Sequence, residues 1–156
     1  MKFIQDFFGN YILISAVLGW LMAQFLKMFT SLITERKISP KMLFSNGGMP
    51  SSHSSTVLAL CTACAVQEGF ASPYFAISAV LAVIVMNDAS GVRYETGEQA
   101  KIINRIAKEL FSGKGEEFNT GLKELVGHTP SQVVAGAGLG IVVALVYGLI
   151  LGVFPA

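Results

Sequence analysis

Four stretches of this chain are apolar, and the polar residues that interrupt them are as informative as the residues that fill them. They run from about 11 to 33, 54 to 70, 73 to 90 and 133 to 154. A helix of ~20 residues crosses a bilayer, with a range of ~17–25, so each stretch has a plausible spanning length. The last, Val133 to Phe154, carries no charge, whereas the first contains Gln24 and Lys27 and the third ends on Asn87 and Asp88. Glu68-Gly69-Phe70-Ala71-Ser72-Pro73 joins the second to the third. Gly and Pro mark that link as a tight turn between antiparallel helices. The pattern predicts an all-α fold, an integral membrane helical bundle of about four transmembrane helices, with residues 1–156 forming one membrane domain.

The long polar region, Asp88 to Gly127, separates the third stretch from the fourth. Within it, Ile103, Ile106, Ala107, Leu110 and Phe111 recur at helical spacing, with Lys101, Arg105, Lys108 and Glu109 opposite. That is the signature of an amphipathic helix. An interfacial amphipathic insertion is expected over about 97–126, lying in the headgroup plane or packed on protein. A second short helix is expected over Glu117 to Val126. In the fourth stretch, Gly136-x-x-x-Gly140 and Gly148-x-x-x-Gly152 offer the small surfaces that let membrane helices approach closely, a route to a homodimer. Gly136, Gly138 and Gly140 do not form a dinucleotide loop, because no strand precedes them and no acid follows.

Composition agrees with the pattern. Of 156 residues, 53% are hydrophobic and 13% charged, against about 25% charged in a soluble domain. A net charge of +1, without a basic stripe interleaved with aromatics, points away from nucleic acid. Cys61 and Cys64 form a C-x-x-C inside an apolar run, where they read as small packing residues and not as a redox or metal pair. No removable signal peptide is expected, since a basic region with an apolar core and a cleavage site is missing.

Charge placement adds direction. If the four stretches alternate, nine of the eleven Lys and Arg residues fall on the face that also receives Pro50-Ser51-Ser52-His53, Asp88, Arg93 and His128. Lys27 lies within the first stretch, and Lys2 alone is left for the other face. The positive-inside rule makes the shared face cytoplasmic.

The chemistry expected there is anion chemistry. Gly47, Gly48 and Pro50 break the helix ahead of His53, and Ser51 or Ser52 can cap the next one. Backbone N–H groups at a helix start bind anions, and a histidine in that first turn can exchange a proton with a bound phosphate. His128 also precedes a span, with Pro130 suited to its first turn. These are the chain's two histidines. Arg93 offers a planar fork for phosphate oxygens, and Asp88 can orient an imidazole or anchor Arg93. An intramembrane lysine such as Lys27 is a functional candidate by default. The expected substrate-binding set is Lys27, Arg36, Gly48, Ser51 and Ser52.

Pro50-Ser51-Ser52-His53 and Gly127-His128-Thr129-Pro130, with Val133 and Gly136 beyond, resemble two signatures of the type-2 phosphatidic acid phosphatase and vanadium haloperoxidase-related superfamily. Gly47-Gly48-Met49 ahead of the first, and Asn87-Asp88-Ala89-Ser90-Gly91-Val92-Arg93 between them, resemble its divergent membrane branch. The resemblance implies His128 as a nucleophile forming a phosphohistidine, His53 as the acid for the leaving alcohol, and Arg93 as the holder of phosphoryl oxygens. It implies neither metal nor cofactor. Lys27 stands near the place of the family's first-motif lysine. Ser52 replaces a glycine, a long insertion separates Arg93 from His128, and Gln132 stands where the family carries an acid. That leaves the orienting role to Asp88, Glu95 or Glu98, or leaves the site without turnover. The expected function is a membrane phosphatase acting on a lipid phosphomonoester or pyrophosphate. The alternatives are a non-catalytic binder of anionic lipid or phosphate and, third, a transporter or channel subunit.

Overall fold

The computed structural model describes residues 2–35, 48–111, 122 and 127–154. All regular structure among them is helical: α1 (Lys2–Phe8), α2 (Tyr11–Glu35), α3 (Ser52–Glu68), α4 (Pro73–Ser90), α5 (Val92–Phe111) and α6 (Pro130–Leu151). Local chemistry sets the boundaries. The Asn10 side chain accepts from the Leu13 N–H at 3.0 Å, and Ser72 accepts from the Phe75 N–H at 3.1 Å, each closing a helix start that would otherwise have open donors. Pro73 and Pro130 occupy the first helical turn, where no N–H is needed.

The burial pattern is inverted relative to a water-soluble protein. Ile77, Val83, Ile84, Val134, Leu149 and Ile150 are exposed, whereas the largest fully buried side chains are His128 and the serines Ser15, Ser51, Ser54 and Ser55. Lipid is as apolar as leucine, so large aliphatics gain little by facing inward and small residues gain close packing. Three helical stretches are long and apolar enough to cross a membrane: Tyr11–Leu32, Pro73–Leu110 and Pro130–Leu151.

The fourth expected span is α3, and its position explains why it is the least apolar. It lies at the centre, packed against α2, α4 and α6, so its Ser and Thr side chains meet protein on three sides. The Ser55 hydroxyl donates to the Gly19 carbonyl of α2 at 2.8 Å. A methyl group at Gly136 or Gly140 would overlap the carbonyl of Ser51 or Ser55, and one at Gly148 would press on the Tyr11 hydroxyl. Tyr11 in turn donates to the Ala144 carbonyl at 2.8 Å. Gly136, Gly140 and Gly148 bring α6 against its own chain, while Gly152 ends the helix with φ +66°.

The helix of the polar insertion starts earlier than expected. Helix α5 starts at Val92, one residue past Gly91, and so continues almost directly from α4. Its buried side is Gly97, Ala100 and Ala107, and Ile102, Ile103, Ile106 and Leu110 are exposed. Ala107 thus leaves the apolar stripe to which spacing assigned it. The Asn104 amide donates to the Leu122 carbonyl at 3.1 Å. The second short helix expected over Glu117 to Val126 lies, apart from Leu122, outside the described residues, as does Arg36.

Candidate active site

The site is built above the N-terminus of α3. Ser51 is the helix cap: its hydroxyl accepts from the Ser54 N–H at 3.4 Å, and the Ser54 hydroxyl donates to it at 3.1 Å. Gly48 enters the turn at φ +91°, a conformation that costs glycine little. The turn is fixed from two sides. The Thr30 hydroxyl lies 3.1 Å from the Met49 carbonyl, and the Ser51 N–H donates to the Gln132 carbonyl at 3.0 Å.

Lys27 of α2 reaches this helix start. It is 4% exposed, and its Nζ donates to the Ser52 hydroxyl at 3.2 Å. The lysine therefore points into the protein at the positive end of the α3 dipole, a combination that favours an anion. His53 lies in the first turn of α3, half-buried, with Nδ1 shielded from solvent and without a hydrogen-bond partner among the described residues.

His128 arrives from the other end of the sequence. Its backbone N–H donates to the Ala89 carbonyl of α4 at 3.0 Å, and Gly127 lies so close to the backbone of Arg93 and Tyr94 that a Cβ would not fit. The elbow between α4 and α5 thus clamps the strand of chain that carries the histidine. Its ring is 1% exposed and stands edge-on to that of His53, with centroids 5.7 Å apart.

Gln132 fixes the tautomer of that ring. Its Oε1 accepts from the Thr129 N–H at 3.1 Å, so the oxygen of the amide is the atom facing the histidine. The same Oε1 lies 3.3 Å from His128 Nδ1, which must then carry the proton. Nε2 is buried and without a hydrogen-bond partner among the described residues, and the backbone of Gly48 also approaches the ring. Burial, reinforced by the positive charge of Lys27 and by His53 and partly offset by hydrogen bonds with Gln132 and the Gly48 backbone, pushes the pKa of His128 from 6.5 down to about 4. The imidazole is neutral near pH 7.

The acids take other positions. Asp88 pairs with Arg93 across the α4–α5 elbow, both side chains 41% exposed. Glu98 pairs with Lys101 at 2.6 Å, and Glu95 is exposed in the first turn of α5. His53, His128, Lys27, Ser51 and Ser52 converge, with Arg93 and Asp88 at the rim. The residue that spacing undervalued is Gln132, whose position one turn after His128 was the available signal.

A family model described as "Divergent PAP2 family" matches residues 8–143. The chain belongs to the divergent PAP2 family. Over 152 residues it is 41% identical to YuiD of Bacillus subtilis (strain 168), described as an uncharacterized membrane protein, covering 91% of this chain and 96% of that protein. No solved structure matches the chain. Membership covers both histidine motifs, the lysine of α2 and the α4–α5 elbow, and it places the chain among membrane proteins.

Proposed function

We propose that this member of the divergent PAP2 family is a multi-pass membrane phosphatase that hydrolyses a lipid phosphomonoester or pyrophosphate through a phosphohistidine at His128. The observation that carries the reading is the buried, unpartnered Nε2 of His128, held in one tautomer beside His53 and Lys27. A neutral imidazole with an open lone pair is a nucleophile, and covalent catalysis divides hydrolysis into two easier steps.

The Nε2 lone pair attacks phosphorus, and the P–O bond to the lipid breaks. The leaving oxygen takes a proton from His53, which a bound phosphate dianion helps to hold in its charged form. Water then attacks phosphorus, giving its proton to His53, and the P–N bond breaks to return the lone pair to His128. Lys27, Arg93 and the α3 N-terminus with Gly48, Ser51 and Ser52 stabilise charge on the transferring group. Arg36 is assigned to the same set from sequence. The mechanism needs no metal. The excess of Lys and Arg on this face orients it to the cytoplasm, which labelling of Cys substitutions at Lys41 and Ala71 with an impermeant thiol reagent tests.

Phosphate release from phosphatidate, phosphatidylglycerophosphate and an isoprenoid pyrophosphate in proteoliposomes tests the activity. Turnover that persists in His128→Ala overturns the mechanism. One observation favours a second reading: Gln132 supplies no negative charge to stabilise an imidazolium. Under that reading the site binds phosphate or vanadate tightly in the wild type without releasing product.

A further inference from the structure

Helix α3 is not covered all the way round. Among the described residues α2 packs on α3 and on α6, and α4 packs on α3 and more sparsely on α6, but no Cα of α2 comes within 8 Å of one of α4. The contact lines on α3 locate the gap. Helix α6 meets it at Ser51 and Ser55, α2 at Ser52, Ser55 and Ala59, and α4 at Cys64, where Ser78 approaches. At 3.6 residues per turn, His53, Thr56, Leu60 and Gln67 fall between the α2 and α4 lines. Thr56 and Leu60 are half-buried, as the floor of an open groove should be. The far end of the same gap is a polar cavity of about 730 Å³ between α1, α2 and α4, whose lining includes Gln67 and Tyr74.

The groove thus has two different ends. Its upper end is His53, with Lys27 on one side and the Asp88–Arg93 pair on the other. From there to Gln67 it runs about 21 Å at 1.5 Å per residue, longer than one leaflet of a hydrocarbon core ~30 Å thick. Along the walls, Trp20 of α2 and Leu81 of α4 are 39% and 42% exposed, and by register both border the gap. A cationic head site opening in line onto an apolar trough suits an amphiphile with an anionic head and an extended tail.

We infer that the groove between α2 and α4, floored by Thr56 and Leu60, holds the hydrocarbon chain of a lipid phosphate whose head lies at His53 and Lys27. This rests on the phosphatase reading for the fate of the head, but the seat of the tail has its own test. Trp20 is the chain's single tryptophan and reports on the groove directly. In phosphatidylcholine bilayers containing a few mole per cent of brominated lipid, phosphatidate with brominated chains should quench Trp20 saturably and several-fold more than brominated phosphatidylcholine at the same fraction. Thr56→Phe and Leu60→Phe, which fill the floor, should bring the two lipids to the same level. The same variants should lower the ratio of phosphatidate to p-nitrophenyl phosphate turnover at least ten-fold.

Equal quenching of the wild type by the two lipids overturns the groove, whatever the turnover; that is also the result expected if a second copy fills the gap. Selective quenching without phosphate release from the wild type overturns hydrolysis and leaves the groove standing. Because the quenching comparison uses the wild type, it decides the question even where a groove variant does not fold.

Discussion

Polar side chains gather at both ends of α3, but they are housed differently. At the N-terminal end, Ser51, Ser52, Lys27 and His128 are all buried. At the C-terminal end, Gln67, Glu68 and, across the cavity, Asp6 are exposed, and Gln67 donates to Glu68 at 3.3 Å. Burying a polar group without a partner costs free energy, so water satisfies the lower end and the fold carries the cost at the upper one. His53 Nδ1 and His128 Nε2 carry it most plainly. The dipole of α3 sharpens the contrast: anions are favoured at its start and disfavoured at its end, where Glu68 stands. A solvated end asks little of its residues; an end with buried open valences is prepared for a ligand.

The comparison can be broken most severely by chemistry. His128→Ala should lower lipid-phosphate turnover at least 1,000-fold, equivalent to about 4 kcal/mol of transition-state stabilisation at 1.36 kcal/mol per decade. Glu68→Gln should stay within two-fold, and a comparable loss in both would remove the distinction between the ends. A labelled phosphoenzyme trapped in the wild type and absent from His128→Ala is the direct check.

Next in size is packing. Gly140→Leu should abolish recovery of folded protein or lower its melting temperature sharply in detergent, because its Cβ meets the Ser55 carbonyl. Gly138→Ala, with open space at its Cβ, should shift stability by no more than about 1 kcal/mol, the helix-propensity difference.

Protonation follows. The folded pKa of His128, about 4, lies below its ordinary 6.5, so between those pH values the unfolded chain takes up a proton that the folded chain refuses. Acid therefore destabilises the fold across that window, by up to about 3 kcal/mol at 1.36 kcal/mol per pKa unit. Denaturation midpoints at pH 7, 5.5 and 4 measure the loss. Gln132→Glu should raise the pKa of His128, flatten that dependence and move the acid limb of kcat/KM upward. A limb that stays in place would show that Gln132 does not govern the ring. The smallest effect belongs to the rim: Arg93→Lys keeps the charge but loses the fork, and should lower kcat/KM about ten-fold.

What could be read from the sequence followed the physics of each signal. The uncharged run from Val133 to Phe154 predicted α6 because lipid admits few alternatives. The starts of α3 and α6 were legible because Pro50, Ser51 and Pro130 are local signals. The spacing of Gly136 and Gly140 announced a close approach but not to which helix, and the answer was α3 of the same chain. Gln132 read as a missing acid because residue type alone does not say which atom of an amide faces the ring; the Thr129 N–H decides that in three dimensions. The partner of Lys27, Ser52, lies 25 positions away, beyond any local pattern. The open side of α3 was illegible for the same reason, since it depends on which neighbours fail to meet.

The shortness of α3 has a consequence for the membrane itself. Its 17 residues measure about 25 Å, whereas the 22 residues of α6 measure about 33 Å. Lipids around most of the bundle meet walls as tall as a typical bilayer. Those at the gap between α2 and α4 face a span several ångströms too short for their hydrocarbon, a mismatch relieved by local thinning. Headgroups there would sink toward His53 without any helix moving. Host bilayers of longer acyl chains should make that descent costlier and slow the reaction, so the thickness of the membrane becomes a control on the site.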